Sequence, residues 1–439
     1  MQNRKRANKL TLLAGEALIA LTLAACGGGN ATATPEETQT PPIIEPSPST
    51  SGSATSIPTL VETTPSPTPE TILPSPQLAT LANEANVTIS TQIVAYELDN
   101  PTYTEAAREV ANMATCAGDM DVLKVFNNVS WKTILDNWGY VSSTLGAGQI
   151  PYQNQLNFND ADKFMNYAKE NNMPVMSQFL FYSQDMPTDI ESAKLSKDNI
   201  FKIVEYYVKA RVLKYRGQIS AWNVTNEVVA GKLYGGESFK FWYASSWSDE
   251  LIADVYKWAH EVDPNAQLLL SENNVLDKSF DPIGPDYISY LKKLKEEGVP
   301  ITTAGLQNQF WVYDPPNKSY MEQMIKRIQA LGLNVMFTET TVSESAKYTF
   351  WTDRPRAVGT ITDLDQAQAK IYQDTLQAAL DTSSIFGIFG FTDAVSEFDS
   401  EPGNYNAPDA KAMILDANFQ PKPAYDALVK ALEAYIASK

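Results

Sequence analysis

Eight short apolar runs, separated by longer segments of helical period, constrain the fold of this chain more than any other feature. They are VTISTQIV (87–94), VLKVFNNV (122–129), PVMSQFLF (174–181), ISAWNVTN (219–226), AQLLLSEN (266–273), TAGLQNQF (303–310), LNVMFTET (333–340) and IFGIFGFT (385–392). Most are nearly continuous in apolar residues, as parallel strands covered on both faces are. Between them, Ile200, Ile203, Val204, Tyr207 and Val208 share one helical face, as do Leu251, Val255, Trp258 and Val262. Met321, Met324, Ile325, Ile328 and Leu331 form a third such face, and Gly332 follows as a C-terminal stop. Eight strand–helix alternations predict an α/β fold, a (β/α)8 TIM barrel. An open doubly wound sheet is the alternative, disfavoured because no glycine-rich phosphate turn follows the first run.

The segments ahead of these runs read differently. Residues 1–25 join a basic start (Arg4, Lys5, Arg6, Lys9) to an apolar stretch ending in Leu23-Ala24-Ala25 before Cys26. That is the layout of a signal peptide, and the Cys after Leu-Ala-Ala resembles a bacterial lipobox, with Cys26 as the lipidated residue. An ordinary signal peptide containing a Cys is the alternative. Residues 26–79 are rich in Pro, Thr and Ser and poor in large apolar side chains, so they are expected to form a disordered tether. Residues 80–439 are then expected to form a single barrel domain, held outside the cytoplasm at the cell surface or secreted, with membrane contact only through the lipid anchor.

Charge narrows the chemistry. The formal net charge is −18, and the four cations and one acid of residues 1–25 leave −21 on the remainder. So acidic a surface repels nucleic acid and anionic headgroups and favours a neutral partner. A single histidine, His260, argues against a Ser-His-Asp site and against histidine-based metal sites. No metal or organic cofactor is expected, and the chemistry falls to carboxylates. Cys116 reads as a buried apolar residue and His260 as structural.

In a barrel of this type the active site is built at the C-terminal ends of the strands. Glu227 follows the fourth run and Glu339 closes the seventh. Two carboxylates facing each other across a barrel mouth are what glycosidic bond cleavage requires, one as proton donor and one as nucleophile or base. Two unrelated rim acids are the competing reading in so acidic a domain.

The motifs around these acids resemble glycoside hydrolase family 10, the retaining β-1,4-xylanases. WNVTNE (222–227) is similar to the family's Trp-Asp-Val-Val-Asn-Glu, and FTET (337–340) to its Thr-Glu-Leu-Asp. VDPNAQLLL, AGLQNQF and PKPAYDAL extend the likeness, in order, over roughly residues 80–430. The resemblance implies Glu227 as acid/base, Glu339 as nucleophile, Asn226 on the sugar 2-hydroxyl, and xylan or a xylan-like oligosaccharide as substrate. It also implies substrate contacts from Gln307 and Gln184, which match the family, and from several positions that do not. Gln309 stands where the family has His, Thr341 where it has Asp, Ser177 and Tyr182 where it has His, and Phe181 where it has Trp. Lys132 and Asp136 exchange the family's acid and base, and Phe389 and Glu397 replace tryptophans. Trp311 is a further candidate for stacking on a sugar, with Tyr313 and Trp351 as weaker ones. These departures leave open a related β-glycan hydrolase with an altered glycone pocket, or a non-catalytic carbohydrate-binding lipoprotein. The protein is expected to be a monomer.

Overall fold

The computed structural model describes residues 72–116, 118–278, 282–344, 361–395 and 411–439. Strands within these residues are β1 (Ile89–Ile93), β2 (Met113–Cys116), β3 (Val175–Ser177), β4 (Ala221–Asn226) and β5 (Gln267–Glu272). They continue with β6 (Thr303–Leu306), β7 (Gln309–Trp311), β8 (Asn334–Phe337), β9 (Thr341–Ser343) and β10 (Phe386–Ile388). Eight of them pair in the order β10-β1-β2-β3-β4-β5-β6-β8, and every pairing is parallel. The two edges meet: the Phe337 N–H donates to the Ile385 carbonyl at 2.8 Å, and Met336 bridges Ile385. The expected (β/α)8 barrel is therefore closed. β7 and β9 form a separate parallel pair in which Gln309 lies opposite Thr341.

Packing follows the strand period. Met113, Met176, Ala221, Leu269 and Met336, each from a different strand, fill one layer inside the barrel. Methionine suits this place because an unbranched, polarizable side chain adapts to the irregular centre. A much larger apolar cluster lies between strands and helices, and the expected helical faces enter it. Ile200, Ile203, Val204, Tyr207 and Val208 are buried on the helix Lys197–Lys214, which the Ser196 hydroxyl caps at Asn199. Met321, Met324, Ile325 and Ile328 are buried on Lys318–Gln329, and Gly332 beyond it takes a φ of +74°.

One strand lies elsewhere than the sequence suggests. The run 122–129 is not the second strand; β2 is Met113–Cys116, and Val122–Val125 is helical. In that run Val122, Val125, Phe126 and Val129 are buried while Leu123 and Lys124 are exposed, a spacing of three and four rather than two. The true strand, Met-Ala-Thr-Cys, is short and has no β-branched apolar or aromatic residue, so it carries little signal.

Barrel closure depends on one small residue. A Cβ on Gly387 would stand 2.2 Å from the Phe337 carbonyl oxygen and 2.8 Å from the Ser90 hydroxyl. Gly387→Ala should therefore destabilise the fold by about 1–3 kcal/mol or more, read as a lowered urea midpoint. An unchanged midpoint would mean that β8 and β10 do not approach so closely.

Candidate active site

The apolar run of β4 carries the chain to the barrel mouth and ends in Asn226 and Glu227. Glu227 takes φ +54° and ψ +38°, a left-handed conformation uncommon outside glycine. Neighbouring contacts hold it there. Its N–H donates to the Ser271 carbonyl of β5 at 2.8 Å. The next helix, Val228–Tyr234, is anchored by Glu272 at the end of β5. Glu272 accepts from the Val229 and Ala230 N–H groups at 2.8 and 3.4 Å, and from the Asn273 N–H at 3.1 Å. Burial, with the neighbouring Glu227 charge, pushes Glu272 up to about 8.

The Glu227 carboxyl accepts a 2.7 Å hydrogen bond from the Tyr182 hydroxyl. Burial raises its pKa above the ordinary carboxylate value, while hydrogen bonds from Tyr182, Gln307 and Asn273 pull the other way. Beside it, the Asn226 side-chain oxygen accepts from the Gln307 amide at 3.2 Å, and the Gln307 side-chain oxygen has no partner among the described residues.

Glu339 sits between β8 and β9. The Thr338 N–H donates to Leu306 of β6 and the Thr340 N–H to Gly387 of β10, so the segment is clamped from both sides. Both carboxylate oxygens are engaged. Gln178, just past β3, donates to Oε1 at 3.0 Å, and Gln309 donates to Oε2 at 2.9 Å. The β7–β9 pair explains the second contact, because it sets Gln309 opposite Thr341, two residues beyond Glu339. A donor on each oxygen fixes the orientation of the carboxyl group.

The loop after β3 is fixed from below by Arg211, which has no exposed surface. Its guanidinium donates to the carbonyls of Met120 at 3.0 Å, Phe179 at 2.7 Å and also Leu180. Backbone carbonyls thus take the place of a carboxylate partner for a buried cation. Asp185 on the same loop is pushed up to about 7, chiefly by burial, against the opposing charges of Arg211 and Lys124.

The structure brings Glu227, Glu339, Asn226, Gln307 and Gln309 together at the strand ends. Gln184 is half-buried in the short turn Ser183–Asp185 after β3. Two expected binding residues are placed otherwise. Phe181 has no exposed surface and packs edge-on against Trp242 and Tyr243, so the residue at the cleft is Tyr182. Lys132 is exposed on the helix Trp131–Asp136, its ammonium 5.2 Å from the Trp131 ring. The misplacement of β2 explains it: the charged pair beyond the true strand is Asp119 and Lys124, 3.4 Å apart. Trp311 is 8% exposed and packs on Tyr313, which leaves little face for stacking. Phe389 borders a small pocket with Gln92 and Tyr103. Trp351, Glu397 and Cys26 lie outside the described residues. Cys116 is fully buried, its thiol pushed up by that burial, and His260 is exposed on the helix Ser248–Val262. Sequence reasoning missed Gln178 and Glu272, and named Tyr182 only as a replacement. Gln178 directly follows β3 and Glu272 closes β5, positions that alone could have marked them.

Two acids at the mouth of a closed barrel are the arrangement that glycosidic bond cleavage uses. The family follows from comparison: the sequence pattern of glycosyl hydrolase family 10 matches residues 78–431, and the chain belongs to that family. Endo-1,4-beta-xylanase B of Thermotoga neapolitana is 28% identical over 73% of this chain and 83% of its own. Native xylanase 10B from Thermotoga maritima superposes with a TM-score of 0.65 at 25% identity, covering 83% of this chain and 100% of its own. Xylanase 10B from Thermotoga petrophila RKU-1, in complex with xylobiose, gives 0.65 at 26% identity, over 83% and 99% of the two chains.

The Tyr182 hydrogen bond favours the ionised form of Glu227, so its loss should raise that pKa. In Tyr182→Phe, the Glu227 carboxyl carbon followed by NMR should titrate at higher pH than in the parent. A titration at the same or lower pH would show that Tyr182 does not stabilise the carboxylate.

Proposed function

We propose that this glycosidase is a retaining endo-β-1,4-xylanase acting by double displacement. The observation that carries the mechanism is the pair of acids at the strand ends: Glu227 is raised in pKa by desolvation despite the donors around it, and Glu339 is oriented by an amide on each oxygen. In the first step a Glu339 oxygen bonds to the anomeric carbon, the glycosidic C–O bond breaks, and Glu227 gives its proton to the leaving oxygen. In the second, Glu227 takes a proton from water, whose oxygen attacks the same carbon and releases Glu339. Once Glu339 is esterified its charge is gone, which lets Glu227 ionise and act as base. Asn226, oriented by Gln307, is placed to hold the sugar 2-hydroxyl, and the free Gln307 oxygen offers a further acceptor.

The relatives' names, with the xylobiose complex among them, support xylan as the substrate. The sequence of residues 1–79 supports an extracytoplasmic, lipid-tethered enzyme, with Cys26 carrying the anchor.

Reducing-sugar release from xylan, compared with mixed β-glucans, tests the reading. The parent should cleave xylan, and Glu339→Ala should lose about four orders of magnitude or more of that rate. Glu227→Ala should lose most activity on xylan but still form the glycosyl-enzyme from substrates whose leaving group needs no proton. Equal background signals from parent and Glu339→Ala would contradict catalysis. Activity should sediment with membranes and become soluble in Cys26→Ser; no change in its distribution would contradict the anchor.

A further inference from the structure

The donor on Glu339 Oε1 is an amide whose own orientation is fixed one residue further back. An amide side chain has a donor end and an acceptor end, and Gln178 uses both. Its Nε2 donates to Glu339 at 3.0 Å, and its Oε1 accepts from Gln92 Nε2 at 2.9 Å. Gln92 lies in β1, in register with Thr115 of β2, and Gln178 directly follows β3. The relay therefore crosses the barrel mouth from β1 past β3 to the end of β8. Both glutamines are almost fully buried, at 5% and 2% exposure, so water does not readily replace either partner.

The order of ends matters. Were Gln178 turned over, its carbonyl oxygen would face a carboxylate oxygen, and a donor would be exchanged for a repulsion. The Gln92 donor occupies the Gln178 oxygen and excludes that arrangement. Gln309 pins the other Glu339 oxygen through the β7–β9 pair, so the two amides together fix the plane of the carboxylate.

We propose that Gln92 is a positioning residue that sets the polarity of the Gln178 amide and thereby holds Glu339 in its attacking orientation. The proposal rests on Glu339 being the nucleophile.

The test is the rate at which a 2,4-dinitrophenyl 2-deoxy-2-fluoro-β-xylobioside labels Glu339, followed by dinitrophenolate release and by peptide mass spectrometry. In that step a Glu339 oxygen bonds to the anomeric carbon and the electron pair of the broken C–O bond leaves with dinitrophenolate. No proton is required, so the rate reports on Glu339 apart from Glu227. In Gln92→Glu the new carboxylate accepts, the Gln178 amide turns over, and labelling should slow about a hundredfold. In Gln92→Met, which keeps the volume but orients nothing, it should slow about three- to tenfold. The concentration giving half-maximal labelling should stay within about twofold, because sugar binding is untouched.

A relay also requires that the effects not multiply. In a Gln178→Met background, Gln92→Met should slow labelling by less than about twofold further. Independent, multiplying losses, or parent-like labelling by Gln92→Glu, would overturn the relay while leaving the nucleophile assignment intact. Failure of the parent to label Glu339 would overturn that assignment and the proposal with it. If Gln92→Glu does not fold, the two methionine variants and their double mutant decide the question alone.

Discussion

The contact between β8 and β10, where the Phe337 N–H meets the Ile385 carbonyl and Gly387 lets one backbone pass close to another, turns a parallel sheet into a barrel. All else at the site depends on that closure. Parallel strands deliver their C-terminal ends to one rim, so residues distant in sequence become neighbours. Without it, Glu339 would not sit between β6 and β10 with its flanking N–H groups paired on both sides. Gln178 and Gln309 could then not reach its two oxygens together.

Within this frame the two acids differ because their surroundings differ. Glu227 ends a buried strand in a left-handed turn, and burial favours its neutral form despite the donors around it. Glu272, buried nearby, holds the start of the helix after Glu227 and is itself pushed up to about 8 by burial and the Glu227 charge. The Glu339 carboxylate instead meets amide donors on both oxygens. Both carboxyl groups are thus held by hydrogen bonds, and at Glu227 the cost of burial outweighs them.

The barrel was legible in the sequence because most of its strands are continuous apolar runs and its helices show one-sided faces. The exception was instructive. Val122, Val125, Phe126 and Val129 form a helical stripe that passes for a strand when only its apolar content is weighed, while β2 itself is four unremarkable residues. That displacement carried Lys132 into the site on paper, whereas it lies exposed on the helix Trp131–Asp136. Glu227 and Glu339 could be named because acids at strand ends are conspicuous. Their supports were legible only in part: Gln309 stood in its motif, but which of Phe181 and Tyr182 faces the cleft depends on how the loop after β3 is held, and Arg211 holds it from a distant helix. Gln92 reads as an ordinary strand residue until its amide is seen against that of Gln178.

The central claim is that Glu339 attacks the sugar directly while Glu227 serves as acid and then base, which makes cleavage proceed with retention. Proton NMR of the first products released from a xylo-oligosaccharide, recorded before mutarotation, tests this most directly. The β-anomer should appear first, with the α-anomer growing in only as the products equilibrate. Initial release of the α-anomer would contradict the account, because it would mean that water, and not Glu339, attacks the anomeric carbon in a single displacement.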